Sequence, residues 1–436
     1  MLFFYFYIFP EKDFYHFRKG RGRMKKLISI LLAMLMIFTL AGCSSKAEEN
    51  DGETANSKGP KIGIILVGDE NEGYSYAHML GIREAAKKLG ISDDTIVWKY
   101  NIPEDQTTYD MAVDLVENDC TLVISNSYAH QPFMQQAASE YPEVTFVADT
   151  GDNGVPSGLA NLKNAFPHTF ESRYVSGVVA GLKLKELDEN GALVAENRTA
   201  DGNVKIGYVG AFPYAEVVSG YTAFYLGIKS VYPNVEMFVE YTNSWFDLTA
   251  EQTVADDLMS QGCVIIGQHA DSTGAPSQLQ KNMEDNKYGF TAYSVGYNVS
   301  MLDVAPDVAL TSASNNWERY YEYAFKCWLD GEDIMVDWSE GYENDAVNIT
   351  ELGKSVAEGT KEAVEKVEGE IKAGTLKVFD ASKFTIGGKT PTSILGDVDA
   401  DFTPETECLI DGYFHESEFR SAPYFAERID GIVELS

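Results

Sequence analysis

Positive charge is scarce in this chain. Lys and Arg number 34 against 67 Asp and Glu, a formal net charge of −33 at pH 7. That balance excludes nucleic acid and an anionic membrane surface as binding partners. It fits a solvated acidic surface outside the cell. Cysteine is also sparse, at five residues. Cys120, Cys263, Cys327 and Cys408 are scattered without metal-ligand spacing, so no metal and no cofactor are expected. Cys120 and Cys263 each open an apolar run and read as free buried thiols, although export permits disulfides that the sequence does not pair. Catalytic motifs are missing too: no Gly-x-Ser-x-Gly, no His-Glu-x-x-His and no phosphate loop. Asp397-Val398-Asp399-Ala400-Asp401 begins like a calcium loop. It has Phe402 where glycine is needed and Cys408 where a bidentate Glu is needed, and reads as a solvated acidic turn.

What is present early in the chain is an export signal. Met24, Lys25 and Lys26 precede an apolar run from Leu27 to Leu40, which ends in Ala41-Gly42-Cys43. A basic start, a short apolar stretch and small residues before a cut site describe a secretory signal. The run is too short and too sharply ended for an ordinary membrane anchor. Leu40-Ala41-Gly42-Cys43 resembles the bacterial lipobox, which implies cleavage before Cys43 and lipidation of its thiol. Residues 1–23 are aromatic and then basic, and the signal is complete without them. The expectation is therefore an upstream start misassigned at 1–23, a lipoprotein signal peptide at 24–42 and a polar, lipid-anchored tether at 43–60. The protein would sit on the extracytoplasmic face of the cell membrane, held by the lipid only.

From Lys61 short apolar runs alternate with amphipathic stretches. Ile62–Val67, Ile96–Tyr100, Leu122–Ser125 and Val144–Ala148 read as strands, and the stretches between them carry helical periodicity. The pattern restarts with a helix at Tyr174–Leu184. Strands then follow at Val204–Val209, Val235–Tyr241, Val264–Gly267 and Phe290–Ser294, and a long helix at Trp317–Leu329. Repeated βα units imply parallel sheets with helices on both faces, here as two α/β lobes of similar size.

Open parallel sheets bind ligands beyond the carboxyl ends of their strands. The residues found there include Tyr74, Asn126, Tyr128, Phe212, Trp245, Asp247, His269, Asp271 and Tyr297. Lys and Arg are absent from these stretches. Rings for stacking, with amides and carboxylates for a polar edge, suit a neutral, flat, hydrogen-bonding ligand. Each residue also has an ordinary structural reading: rim or core aromatics, helix caps for Asn126 and Asp271, a satisfied structural histidine for His269. Their shared location is the signal.

Several segments together resemble the basic membrane protein family, the substrate-binding lipoproteins of ABC importers. They are Lys205–Pro213, Gly220-Tyr221, Asn243-Ser244-Trp245-Phe246-Asp247, Gln268-His269-Ala270-Asp271-Ser272, and Ala309–Ser312 with Asn316-Trp317. The Trp-Phe-Asp and Gln-His-x-Asp segments are similar to the purine-binding branch. The loop after the first strand carries Tyr74 where that branch tends to have Trp. The resemblance implies a type I periplasmic-binding-protein fold: two doubly wound parallel-sheet lobes joined by a three-segment hinge. Lobe 1 would comprise 61–163 and 311–332, and lobe 2 would comprise 164–310 and 333–436. Crossings are expected near Asn161–Asn164, Tyr293–Tyr297 and Ala309–Ser312. It further implies no enzymatic activity, a purine base or nucleoside as ligand, Trp317 as a further ligand-binding residue, an ABC permease as partner and a monomeric protein. Alternatives are a neutral sugar in the same cleft, a ligand sensor of the same fold, or an exported hydrolase built on Asp271 and His269.

Overall fold

A computed structural model describes residues 59–435. The upstream start, the signal segment, Cys43 and most of the tether lie outside the described residues. Lobe 1 is built from β1 (Lys61–Ile65), α1 (Gly73–Leu89), β2 (Ile96–Lys99), α2 (Gln106–Glu117), β3 (Cys120–Ser125), α3 (Gln131–Glu140), β4 (Thr145–Asp149) and β5 (Leu162–Ala165). Lobe 2 follows with α4 (Thr169–Glu189), β6 (Val204–Gly210), α5 (Ala215–Val231), β7 (Val235–Tyr241), α6 (Leu248–Ser260), β8 (Ile265–Gln268), α7 (Gly274–Glu284), β9 (Tyr293–Tyr297) and β10 (Ala309–Asn315). The remainder adds α8 (Trp317–Asp330), β11 (Asp337–Trp338), β12 (Val347–Ile349) and α9 (Thr360–Lys372).

Two sheets result. The first runs β11-β5-β4-β3-β1-β2 and is parallel throughout. The second runs β12-β10-β9-β8-β6-β7 and ends on a strand at Ile432–Glu434, with only β12 antiparallel. Alternate residues of each strand feed cores on opposite faces, as a sheet covered by helices on both sides requires. Ile62 and Ile64 of β1, with Leu122 and Ile124 of β3, pack under α1 and α8. Val123 and Phe146 face the other way, onto Leu115 and Met134. Cys120, Cys263, Cys327 and Cys408 are all free and buried.

The chain passes between lobes three times. It leaves β5 through Phe166–His168, returns through Asn315-Asn316 into α8, and leaves β11 through Ser339–Gly341. These positions correct the expected ones. Tyr293–Tyr297 is not a crossing but β9, paired on both edges inside the second sheet. Ala309–Ser312 lies within β10, so the return comes some residues later. The boundary expected at 332/333 also moves, because Asp337 and Trp338 pair with Asn164 and Ala165 of the first sheet. β5 itself reads poorly from sequence because Lys163 and Asn164 are polar, yet all four of its residues are buried. Asn164 earns its place by donating from Nδ2 to the Ala148 carbonyl at 2.9 Å.

The second lobe depends on one close helix crossing. Gly177 of α4 and Gly227 of α5 face each other, and a Cβ on either would press on a backbone carbonyl, Phe224 or Tyr174 respectively. Neither carbonyl can move without shifting its helix. Overpacking of this kind costs about 1–3 kcal/mol. We expect Gly227→Ala to lower stability by roughly that amount in denaturant melts. A variant as stable as the parent would show that the two helices can separate freely.

Candidate functional site

A cleft of about 440 Å³ opens between the lobes at the carboxyl ends of both sheets. From lobe 1 it is lined by Asp69, Glu72, Tyr74, Asn101, Glu104, Tyr128 and Thr150, and from lobe 2 by Phe212, Glu216, Asn243, Trp245, His269, Asp271 and Tyr297, among others. No Lys or Arg lines it among the described residues.

Tyr74 is set by the start of α1. The Glu72 carboxylate accepts from the Tyr74 and Ser75 amides at 2.6 and 2.7 Å, an N-cap that satisfies two of the helix's free donors. The Tyr74 hydroxyl donates to the Asn126 carbonyl, and its ring meets His78 edge-on at 4.6 Å. In lobe 2, Phe212 stacks on Tyr214 at 5.1 Å and meets Trp245 edge-on at 5.2 Å. His269 lies between Glu216, 3.2 Å from its Nε2, and the Tyr208 hydroxyl, 3.4 Å from its Nδ1. Asp271 is fixed by its amide, which donates to the Trp245 carbonyl at 2.8 Å, and its carboxylate accepts from Asn298 Nδ2 at 2.7 Å. Gly73 brings the lobes together over this point. A Cβ there would stand 3.2 Å from Val299 Cγ2 and 3.3 Å from the Asp271 carbonyl oxygen.

Seven of the ten ligand residues expected from sequence therefore line the cleft: Tyr74, Tyr128, Phe212, Trp245, His269, Asp271 and Tyr297. Three do not. Asn126 is buried behind it, its Oδ1 accepting from the Val67 amide at 2.9 Å and its Nδ2 donating to Ser75 Oγ at 3.1 Å, so it ties down the loop that carries Tyr74. Asp247 is spent capping α6, accepting from the Thr249 and Ala250 amides at 3.0 and 2.9 Å. Trp317 is a core residue stacked on His78 at 4.0 Å, with the His78 ring between it and Tyr74. Sequence reasoning passed over Glu72 and Glu216, because an acid in or before a first helical turn reads as a dipole partner. It also passed over Arg173. This buried side chain of α4 lies 3.7 Å over the Tyr297 ring and donates from Nη1 to the Gln268 carbonyl at 2.5 Å. It sits near the start of α4, past the first crossing, and not in a loop that directly follows a strand.

The electrostatics follow from burial and crowding. Burial, and then the charges of Glu72, Glu251 and Glu216, hold the Asp271 carboxyl well above the ordinary carboxylate range. Burial raises Glu72 as well, and raises Glu251 to about 7. Burial and the Arg173 charge push His269 down to about 4, so its imidazole is neutral at pH 7. A carboxyl raised in this way binds more protons folded than unfolded. Its stabilising contribution is present at acid pH and is lost as pH rises toward the folded value. The cleft acids should therefore make the ligand-free protein melt at progressively lower temperature from about pH 5 to about pH 7, the range set by the raised Glu251. Asp271→Asn should flatten that slope and melt several degrees higher at neutral pH. A variant with the parent's slope would place the charge burden elsewhere.

Comparison with known proteins agrees with this architecture. A family profile described as ABC transporter substrate-binding protein, PnrA-like, matches residues 60–382. A purine-binding protein of Brucella abortus is 28% identical over 76% of this chain and 87% of its own. A Haloferax volcanii protein, provisionally named as a glucose-binding protein of an ABC transporter, is 26% identical over 79% of this chain and 81% of its own. Among solved structures, an ABC transporter solute-binding protein from Aeropyrum pernix matches with a TM-score of 0.58 at 15% identity, covering 77% of this chain and 94% of that one. Another from Conexibacter woesei gives 0.55 at 18%, covering 73% and 98%. Among the described residues no helix is long and apolar enough to cross a membrane.

Proposed function

Because the chain belongs to the PnrA-like family of ABC transporter substrate-binding proteins, we propose that the ligand it captures is a purine base or nucleoside. Members of the family are the extracytoplasmic solute-binding component of an importer and are not enzymes, so the hydrolase reading of Asp271 and His269 is set aside. The observation that carries the purine reading is the lining of the cleft: rings from both lobes around a buried carboxylate, with no Lys or Arg among the described residues. Tyr74 and Tyr128 offer faces from one side, Phe212 and Trp245 from the other. Asp271 accepts from ring or amino N–H groups of the base. A relative supports the reading: the Brucella abortus protein is named as purine-binding. An acidic cleft also argues against nucleotides, whose phosphates would meet Asp69, Glu72, Glu104 and Glu216 unpaired.

The receptor would act as a monomer held to the membrane through lipid on Cys43 and would deliver its ligand to its ABC permease. Cys43→Ala should leave the protein unprocessed or release it from the membrane fraction. Mature, membrane-bound protein with Ala at this position would defeat the anchoring proposal.

Mass spectrometry of ligand carried through purification, followed by titration calorimetry, tests the ligand. Micromolar binding, worth about −8 kcal/mol, is expected for a purine base or nucleoside, with the corresponding monophosphate at least tenfold weaker. Asp271→Ala should weaken purine binding by about 1–3 kcal/mol, since a buried donor or acceptor loses its partner. Tyr74→Phe keeps the ring and should cost less. Binding of glucose with no response to purines would replace this reading with the sugar reading that the Haloferax volcanii relative supports.

A further inference from the structure

A second constellation of charged side chains lies away from the cleft, where two of the three inter-lobe segments run side by side. His168 ends the first crossing, Glu171 stands in the first turn of α4, and Glu343 follows the last crossing. The segments are joined by backbone bonds, from the Phe166 amide to the Trp338 carbonyl at 3.0 Å and from the His168 amide to the Glu340 carbonyl at 2.8 Å. One ligating atom from each of His168, Glu171 and Glu343 lies within 4.8 Å of the other two. The donor atom of His168 is Nδ1. It is buried and faces Glu171, whose Oε1 stands 3.6 Å away.

Gly341 supplies a second, independent observation. A Cβ at this residue would stand 2.6 Å from His168 Nδ1, 2.8 Å from Glu343 Oε2 and closer still to Glu171 Oε2. The three donor atoms thus gather over the bare Cα of Gly341, an approach that a side chain there would forbid. Both carboxylates are already oriented by backbone. Glu171 Oε2 accepts from the Tyr342 amide at 2.8 Å, and Glu343 Oε1 accepts from the Gly341 amide at 3.0 Å. Each keeps lone-pair capacity for a further partner. The three residues line a cavity of about 250 Å³ that opens to solvent. The cations on its wall are engaged elsewhere, Lys372 with Asp345 at 2.8 Å and Lys377 over the Tyr413 ring at 4.6 Å.

We propose that His168, Glu171 and Glu343 form a site for a divalent transition-metal cation at the hinge. One imidazole nitrogen and two carboxylates are the donor set of Zn²⁺ or Mn²⁺, and not of Ca²⁺, which takes oxygen ligands. Bond lengths of about 2.0–2.2 Å to each donor require the cluster to draw together on binding. The cation would staple the first crossing to the last, whichever ligand occupies the cleft.

The test uses chelator-treated full-length protein titrated with Zn²⁺ alone, and separately with Mn²⁺ and Ca²⁺, by calorimetry and by thermal melting. One saturable Zn²⁺ equivalent is expected, with a rise of a few degrees in the melting temperature. Glu343→Gln, at an exposed position, should lower Zn²⁺ affinity at least tenfold and abolish the rise, with an unchanged melt in the absence of metal. His168→Gln should do the same. Asp399→Asn in the acidic turn should leave Zn²⁺ binding as in the parent. No saturable equivalent, or a Glu343→Gln protein that binds Zn²⁺ like the parent, would overturn the site.

Discussion

Closing the cleft brings carboxylates of the two lobes toward one another, and this repulsion governs the rest of the site. Glu72 comes from lobe 1, while Asp271, Glu216 and Glu251 come from lobe 2, and the charge of Glu72 is the largest after burial in holding the Asp271 carboxyl high. No Lys or Arg lines the cavity among the described residues to offset them; the nearest compensation is Arg173, buried behind Tyr297. An empty closed cleft must therefore take up protons or bear the repulsion. A ligand that presents N–H groups to these oxygens removes the penalty only when the lobes are closed, which is the differential affinity that a population shift needs. Selectivity and closure thus draw on the same carboxylates.

The backbone around the cleft is under matching constraint. Asn101, Thr150, Asn243 and Asn298 all hold positive φ, at 55°, 61°, 56° and 64°. Each comes one or two residues after a strand, β2 and β4 in lobe 1 and β7 and β9 in lobe 2. Asn tolerates this region, but Thr150 is β-branched and does not do so without cost. Such residues persist where the surroundings over-determine them. The Thr150 amide donates to the Ala165 carbonyl at 2.8 Å, and the Asn298 amide to the Ala313 carbonyl at 2.9 Å. The sharp turns let short loops project side chains straight into the cleft, and let Asn298 reach back to Asp271.

The hinge shares this economy of parts. All three crossings are short, and they are tied to each other rather than left as independent linkers. The Asn316 amide donates to the Ala346 carbonyl at 2.8 Å, and Thr169 Oγ1 donates to Asn315 Oδ1 at 2.8 Å. The tail adds a further tie, from the Ser421 amide to Asp337 at 2.8 Å. Motion between lobes is then confined to a few backbone dihedrals acting together, which favours rigid-body closure over splaying.

How much of this was legible in the sequence divides along physical lines. Alternating βα periodicity gave the two sheets because most of their strands are short apolar runs, and the carboxyl-end rule located the cleft because topology alone fixes it. β5 escaped because Lys163 and Asn164 satisfy their polarity within the fold, which no periodicity reports. Asn126 and Asp247 misled for one reason: a short polar side chain after a strand can serve a ligand or its own backbone equally well, and only packing decides. Here the Val67 amide and the first turn of α6 had the prior claim. Trp317 misled differently. Being in a segment shared with a family says that a residue is needed, not that it touches the ligand, and this one acts two rings away by backing His78 and, through it, Tyr74. The acids that press most on Asp271, Glu72 and Glu251, were invisible as a pair. They come from different lobes, and their joint effect on Asp271 exists only once the chain has folded back on itself.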